Sequence, residues 1–153
     1  MTRRRLLFLL PAVLLLSQCG PEAKPPAVLT LQIVGSGDQN PDITGATSPV
    51  AVRIYQLTAT AKFERGDVFA LTEHEQQTLG LDDAGSQEFV IAPNEQRTVT
   101  IELKPQVQAI GVVALYRDID RAQWRADAPA ATSGPTKLVL TIAKLAITLK
   151  PAS

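Results

Sequence analysis

A chain of 153 residues with one histidine and one cysteine has few routes to covalent chemistry. His74 sits among Glu73, Glu75, Gln76 and Gln77, on the polar side of an expected helix, with no second His to share a metal ion. It reads as a solvated helix position. Asp82-Asp83 and Asp118/Asp120 are carboxylate pairs of the kind used in acid–base work or Ca²⁺ binding. Neither has a calcium-loop spacing, and both suit solvated turns. Ser36 lies in Gly35-Ser36-Gly37, which falls short of the G-x-S-x-G nucleophile turn. Gly35, Gly37, Asn40, Asp42 and Gly45 form no phosphate loop, because no Lys-Ser/Thr opens a helix after them. The expectation is a protein that is not an enzyme, with no metal and no cofactor. Arg117, Arg121, Trp124 and Arg125 are different, since Arg and Trp concentrate in binding hot spots. The plainer alternative is a Trp that covers the edge of the core, with solvated Arg around it.

The chemistry left to the single Cys is modification. Arg3 to Arg5 followed by Leu6 to Leu16 (LLFLLPAVLLL) gives the charged and apolar regions of a secretory signal, assigned to residues 1–18. The apolar run is short for a bilayer span, and Pro11 interrupts it. Leu16-Ser17-Gln18-Cys19 resembles a bacterial lipobox, with Gln18 where a small residue is usual. Cys19 is therefore the expected lipid attachment site, and several acyl chains on it would hold the protein on a membrane. Gly20 after the Cys differs from the Cys-Asp pattern of inner-membrane retention, which favours the periplasmic face of the outer membrane. Residues 19–27, including PEAKPP, form a Pro-stiffened tether to a single domain over 28–150. Without Arg3 to Arg5 the chain carries 12 basic and 15 acidic residues, a net charge of −3, which argues against nucleic acid as a partner.

The elements that must position any binding residues read as β. Val28 to Val34 and Val50 to Leu57 alternate with period two. Between them Gly35 to Pro49 runs about 15 residues and is dense in turn formers: Asn40-Pro41-Asp42, Thr44-Gly45, Ser48-Pro49. Loops of that length between core strands tend to carry function. This one is expected to be held at its base and free at its tip. A helix is expected at roughly 66–79, started by Asp67 and ended by Gly80, with its apolar side on the sheet. A turn at 82–85, a short strand at 88–92 and a strand at 97–103 follow. The run Ala109 to Leu115 (AIGVVAL) reads as a central strand covered on both faces. Residues 117–125 read as loop, 129–135 as linker, and 136–150 as two strands joined at Ala143-Lys144. About seven strands and one helix give a two-sheet β-sandwich.

These residues also carry a family resemblance. Asn40-Pro41-Asp42, Gly45, Ser48-Pro49-Val50 and Val52-Arg53-Ile54-Tyr55-Gln56-Leu57 resemble the signature of the type VI secretion lipoproteins, the TssJ/VasD/SciN family. So do Phe69-Ala70-Leu71, Leu79-Gly80, Gly111-Val112-Val113-Ala114, Tyr116-Arg117-Asp118 and Trp124-Arg125. The resemblance implies a transthyretin-like sandwich with an added helical element, and a non-enzymatic outer-membrane lipoprotein. It implies binding to the periplasmic C-terminal domain of the IcmF-like inner-membrane protein, alongside other membrane-complex subunits. In the family the loop between the first two strands is implicated, which here points to Gln39, Asn40, Pro41, Asp42, Ile43, Thr44 and Gly45. The alternative from another class is a periplasmic module that binds a small ligand such as a glycan. With aromatics at 5% of the chain, the material for a ring-lined pocket is thin.

Overall fold

The computed structural model describes residues 20–153. The signal segment and Cys19 lie outside the described residues. Eight strands form two four-stranded sheets. They are β1 (Val28–Gly35), β2 (Val50–Leu57), β3 (Asp83–Ile91), β4 (Gln96–Glu102), β5 (Ala109–Leu115), β6 (Arg125–Pro129), β7 (Pro135–Ile142) and β8 (Ile147–Pro151). One sheet has the order β4-β1-β7-β8 and the other β3-β2-β5-β6. All neighbours are antiparallel except β1 and β7, which run parallel with Leu31 opposite Leu138 and Ile33 opposite Leu140. This is the expected two-sheet sandwich, with eight strands where the pattern predicts about seven.

The alternation of β1 and β2 fixes the core. Leu29, Leu31 and Ile33 from one sheet meet Val50, Val52 and Ile54 from the other in one buried cluster. Burial of apolar side chains between sheets is the main stabilising term of such a fold. The opposite face of the second sheet is also covered. Tyr55 and Leu57 of β2, with Ala109 and Val113 of β5, pack against Phe63, Leu71 and Leu79. β5 is buried on both faces, as its continuous apolar run predicts. Gly111 lies under Phe63: a Cβ there would stand 2.7 Å from the Phe63 ring and 2.9 Å from Leu57.

The helical segment differs from the expected single helix over 66–79. It is three short helices, α1 (Ala61–Arg65), α2 (Val68–Glu73) and α3 (Glu75–Leu79), followed by a 3₁₀ turn at Gly80–Asp82. Asp67 does cap a helix, accepting from Ala70 N at 2.8 Å, and Gly80 ends one at φ 55°. The break at His74 has a cause in the sheet below. The Tyr55 hydroxyl donates to the Leu71 carbonyl and Arg53 Nη1 to that of Thr72. The last carbonyls of α2 are thereby satisfied without further helix.

Two further expectations change. The turn expected at 82–85 is the start of β3, whose pairing with β2 shifts between Gln56 and Leu57. Gly85 there takes φ 143°, so the Asp/Gly signal marks a β-irregularity, not a chain reversal. The stretch 125–129, expected as loop and linker, forms β6 along the free side of β5. Its sequence RADAP has little strand propensity. Pairing with a buried neighbour overrides that propensity, and Pro129 sits at the end of an edge strand, where a missing N–H costs least.

Candidate functional site

The strands alternate direction, so four connections gather at one end of the sandwich: β1–β2, β3–β4, β5–β6 and β7–β8. The β1–β2 loop crosses from one sheet to the other and is built into this end along its first half. Gly35 N donates to Glu95 O at 2.8 Å, Ser36 N to Ile142 O at 2.9 Å and Asn40 N to Lys144 O at 3.0 Å. Gln39 is fully buried, and its Nε2 donates to the Ile91 carbonyl at 2.8 Å. Asn40 is 3% exposed with φ 47°. Its Nδ2 donates to Pro49 O at 2.8 Å, and its Oδ1 accepts from Arg117 N at 2.8 Å. Left-handed backbone is tolerated best by Gly and Asn, and here the Asn side chain also ties two loops together. Ser48 completes the base, donating to Asn40 O at 2.6 Å and accepting from Arg117 Nε at 3.0 Å.

Beyond Asn40 the loop leaves the body but does not loosen. Asp42 Oδ1 accepts from Thr44 N at 2.8 Å, Thr44 Oγ1 at 2.7 Å and Ala46 N at 3.0 Å. Asp42 N donates to Ala46 O and Gly45 N to Asp42 O, with Gly45 at φ 87°. The Thr44 hydroxyl and the Thr44 and Ala46 amides hold the Asp42 carboxyl below its ordinary pKa. The expected free tip is therefore a self-closed turn built on one carboxylate. At its apex Ile43 is exposed over its whole side chain. Of the seven loop residues singled out in the sequence, Gln39 and Asn40 lie inside, Pro41 and Asp42 are half-buried, and Ile43, Thr44 and Gly45 are exposed.

The protruding loop stands between two open grooves. One, of about 370 Å³, is lined by Pro41, Asp42, Ile43, Arg117, Asp118, Arg121, Lys144 and Leu145. The other, of about 350 Å³, lies across the loop and shares Arg121 and Lys144. Arg121 pairs with Asp118. Neither lining includes an aromatic ring, so neither offers the platform a glycan stacks on.

The arginines and tryptophan singled out in the sequence part company here. Arg117 and Arg121 join the loop, while Arg125 donates to the Phe63 and Gly66 carbonyls at 3.0 and 2.7 Å and ties β6 to α1. Trp124 is half-buried against both clusters, with the Arg125 guanidinium 5.0 Å from its ring centroid. Lys144 and Leu145 were not singled out, and Tyr116 entered only through the family resemblance. The buried Tyr116 hydroxyl lies 2.9 and 2.8 Å from the Ala143 and Ala146 carbonyls and fixes the β7–β8 turn beside the loop. Burial pushes its pKa well above the ordinary tyrosine value.

Among the described residues no group of three or more His, Cys, Asp or Glu is placed to hold a metal ion, and no helix is long and apolar enough to cross a membrane. His74 is exposed at the α2–α3 junction. Asp118 serves Arg121, and Asp82 pairs with Lys62.

Residues 27–148 match the family described as the type VI secretion lipoprotein, with VasD, EvfM and TssJ among its members. The T6SS lipoprotein TssJ1 from Pseudomonas aeruginosa is 33% identical, with a TM-score of 0.81 over 84% of this chain and 98% of that one. Serratia marcescens Lip, a membrane-bound component of the type VI secretion system, has 18% identity and a TM-score of 0.76 over 84% and 99%. A chain of a type VI membrane complex has 25% identity and a TM-score of 0.73 over 82% and 99%. No curated protein matches the sequence.

Proposed function

From the premise that this chain belongs to the type VI secretion lipoprotein family, we propose that it is an outer-membrane anchor of the secretion apparatus. In this reading the lipid on Cys19 fixes one end in the outer membrane, facing the periplasm, and the sandwich is a rigid spacer. The β1–β2 loop binds the periplasmic C-terminal domain of the IcmF-like (TssM) inner-membrane component. Membership of the complex is supported by the likeness to a chain of a type VI membrane complex. The work is mechanical: binding energy at the loop is transmitted to the lipid through two packed sheets, with no reaction catalysed.

The observation that carries the loop reading is Ile43. A fully exposed aliphatic residue at the apex of an internally bonded turn is presented in one geometry, so little ordering is lost on binding. Pro41, Thr44 and Gly45 complete the contact surface. Gln39 and Asn40 act from inside by holding that surface in place. Arg117, Arg121 and Lys144 rim the groove and favour a partner that brings carboxylates.

Two variants test the two ends separately. Cys19→Ser in the host releases the protein from the outer-membrane fraction and stops secretion; retention in that fraction with secretion intact removes Cys19 as the anchor. Ile43→Ala keeps the fold and weakens capture of the partner domain by roughly thirtyfold, the loss of a hot-spot anchor of about 2 kcal/mol. Undiminished capture, read by calorimetry, takes Ile43 out of the interface.

A further inference from the structure

The end of the sandwich opposite the loop is a stitched floor, and the tether leaves from it. Val28 N donates to Gly134 O, Leu103 N to Ala27 O and Gly134 N to Pro25 O, so the chain is already docked at Pro25. From there the floor continues across both sheets. Lys104 N donates to Gln56 Oε1, Gln108 N to Leu57 O, Ala130 N to Gln108 O and Thr58 N to Asp82 O. The β4–β5 and β6–β7 connections here are short, and the longer β2–β3 connection carries the three helices.

On this floor, in the 3₁₀ turn before β3, Leu81 is 93% exposed. Only three other large apolar side chains among the described residues are exposed: Ile43, Phe69 and Val90. Ile43 and Leu81 are the most exposed of the four and lie at opposite poles of the sandwich. Leu81 is held where it is by its neighbours. The Thr58 hydroxyl donates to its carbonyl at 3.2 Å, and Lys62 bonds the Leu79 carbonyl and Asp82 on either side of it. Two lysines lie along residues 79–85. Lys62 is paired with Asp82 at 3.2 Å, and the Lys104 ammonium lies against Gly85 at the start of β3. Lys62 thus offsets Asp82, the carboxylate next to Leu81 in the chain.

We propose that this floor rests on the phospholipid surface, with Leu81 inserted at the interface and Lys62 and Lys104 at headgroup level. The inference rests on the lipid at Cys19. The free leash, Cys19 to Lys24, spans roughly 20 Å even when fully extended. A floor tethered so closely meets the membrane at high effective concentration, so a contact too weak to recruit the domain alone is occupied when the lipid is in place. An aliphatic side chain flanked by lysines is suited to the boundary, where the apolar group enters and the ammonium groups stay hydrated. The consequence is orientation. Docking of the floor points Ile43 directly away from the membrane, toward a partner that crosses the periplasm.

The test uses the full lipidated protein in vesicles of phosphatidylethanolamine and phosphatidylglycerol. Leu81→Cys and Ile43→Cys variants each carry a spin label, Cys19 being blocked by its own acylation, which mass spectrometry verifies. Contact predicts that the label at position 81 collides several-fold more with oxygen, which partitions into lipid, than the label at 43. The water-borne nickel reagent should show the reverse. Equal, water-like accessibility at both positions on an acylated protein overturns the membrane contact and leaves the anchor standing. A chain with no acyl mass on Cys19 overturns the anchor, and the contact with it. No other protein is present, so a lipid-phase signal cannot arise from a subunit covering Leu81.

Discussion

Asn40 holds the loop from inside. Its side chain joins Pro49 and the Arg117 amide, and its backbone holds φ 47°. Asn40→Ala leaves both groups short of a partner in a nearly closed site, at about 1–3 kcal/mol. We expect lower stability by urea unfolding together with weaker partner capture, whereas Ile43→Ala affects capture alone. Asp42 gives a pH signature. Its folded pKa is depressed, so the bracing of the turn is complete above the unfolded value and is lost as pH falls through the folded one. The amide signals of Thr44 and Ala46 should therefore hold steady across neutral and mildly acid pH and move together only below the ordinary carboxylate range. These roles were half-legible in the sequence. Turn formers at 40–49 announce a non-repetitive segment, but that Gln39 and Asn40 face inward depends on the Ile91 carbonyl and the Arg117 amide, which only folding brings near.

At the scale of elements, β5 and the helical segment depend on each other. Gly111 leaves the space that Phe63 fills, and the Phe63 ring lies 5.3 Å from that of Tyr55. Gly111→Val forces that contact apart, and overpacking of this kind costs about 1–3 kcal/mol. Thermal unfolding measures it, and Tyr55→Phe separates packing from the hydroxyl bond to Leu71, which contributes about 1 kcal/mol. The apolar run of β5 could be read directly, because burial on both faces leaves a composition signal. The breaks in the helix could not, because they arise where Tyr55 and Arg53 take the carbonyls of α2 from below. Nor could β6, whose pairing is decided by the open side of β5 and not by RADAP itself.

For the whole molecule, β6 decides which pole each later connection reaches. Each strand reverses the chain, so overlooking β6 moves every later connection to the wrong pole. With β6 counted, the β7–β8 turn lies beside the β1–β2 loop, and Lys144 and Leu145 enter the groove. The same alternation puts the tether and Leu81 at the other pole. The sequence by itself determined the alternating strands of the sandwich and the long irregular segment between the first two, because composition and period are properties of the local chain. Only the tertiary structure decided which loop residues face out, which arginines stand with Ile43 and which brace the helices, and that the segment before β1 and the β1–β2 loop leave opposite ends of the sandwich. Those depend on strand count and on pairings between residues far apart in the chain, and no local pattern encodes them.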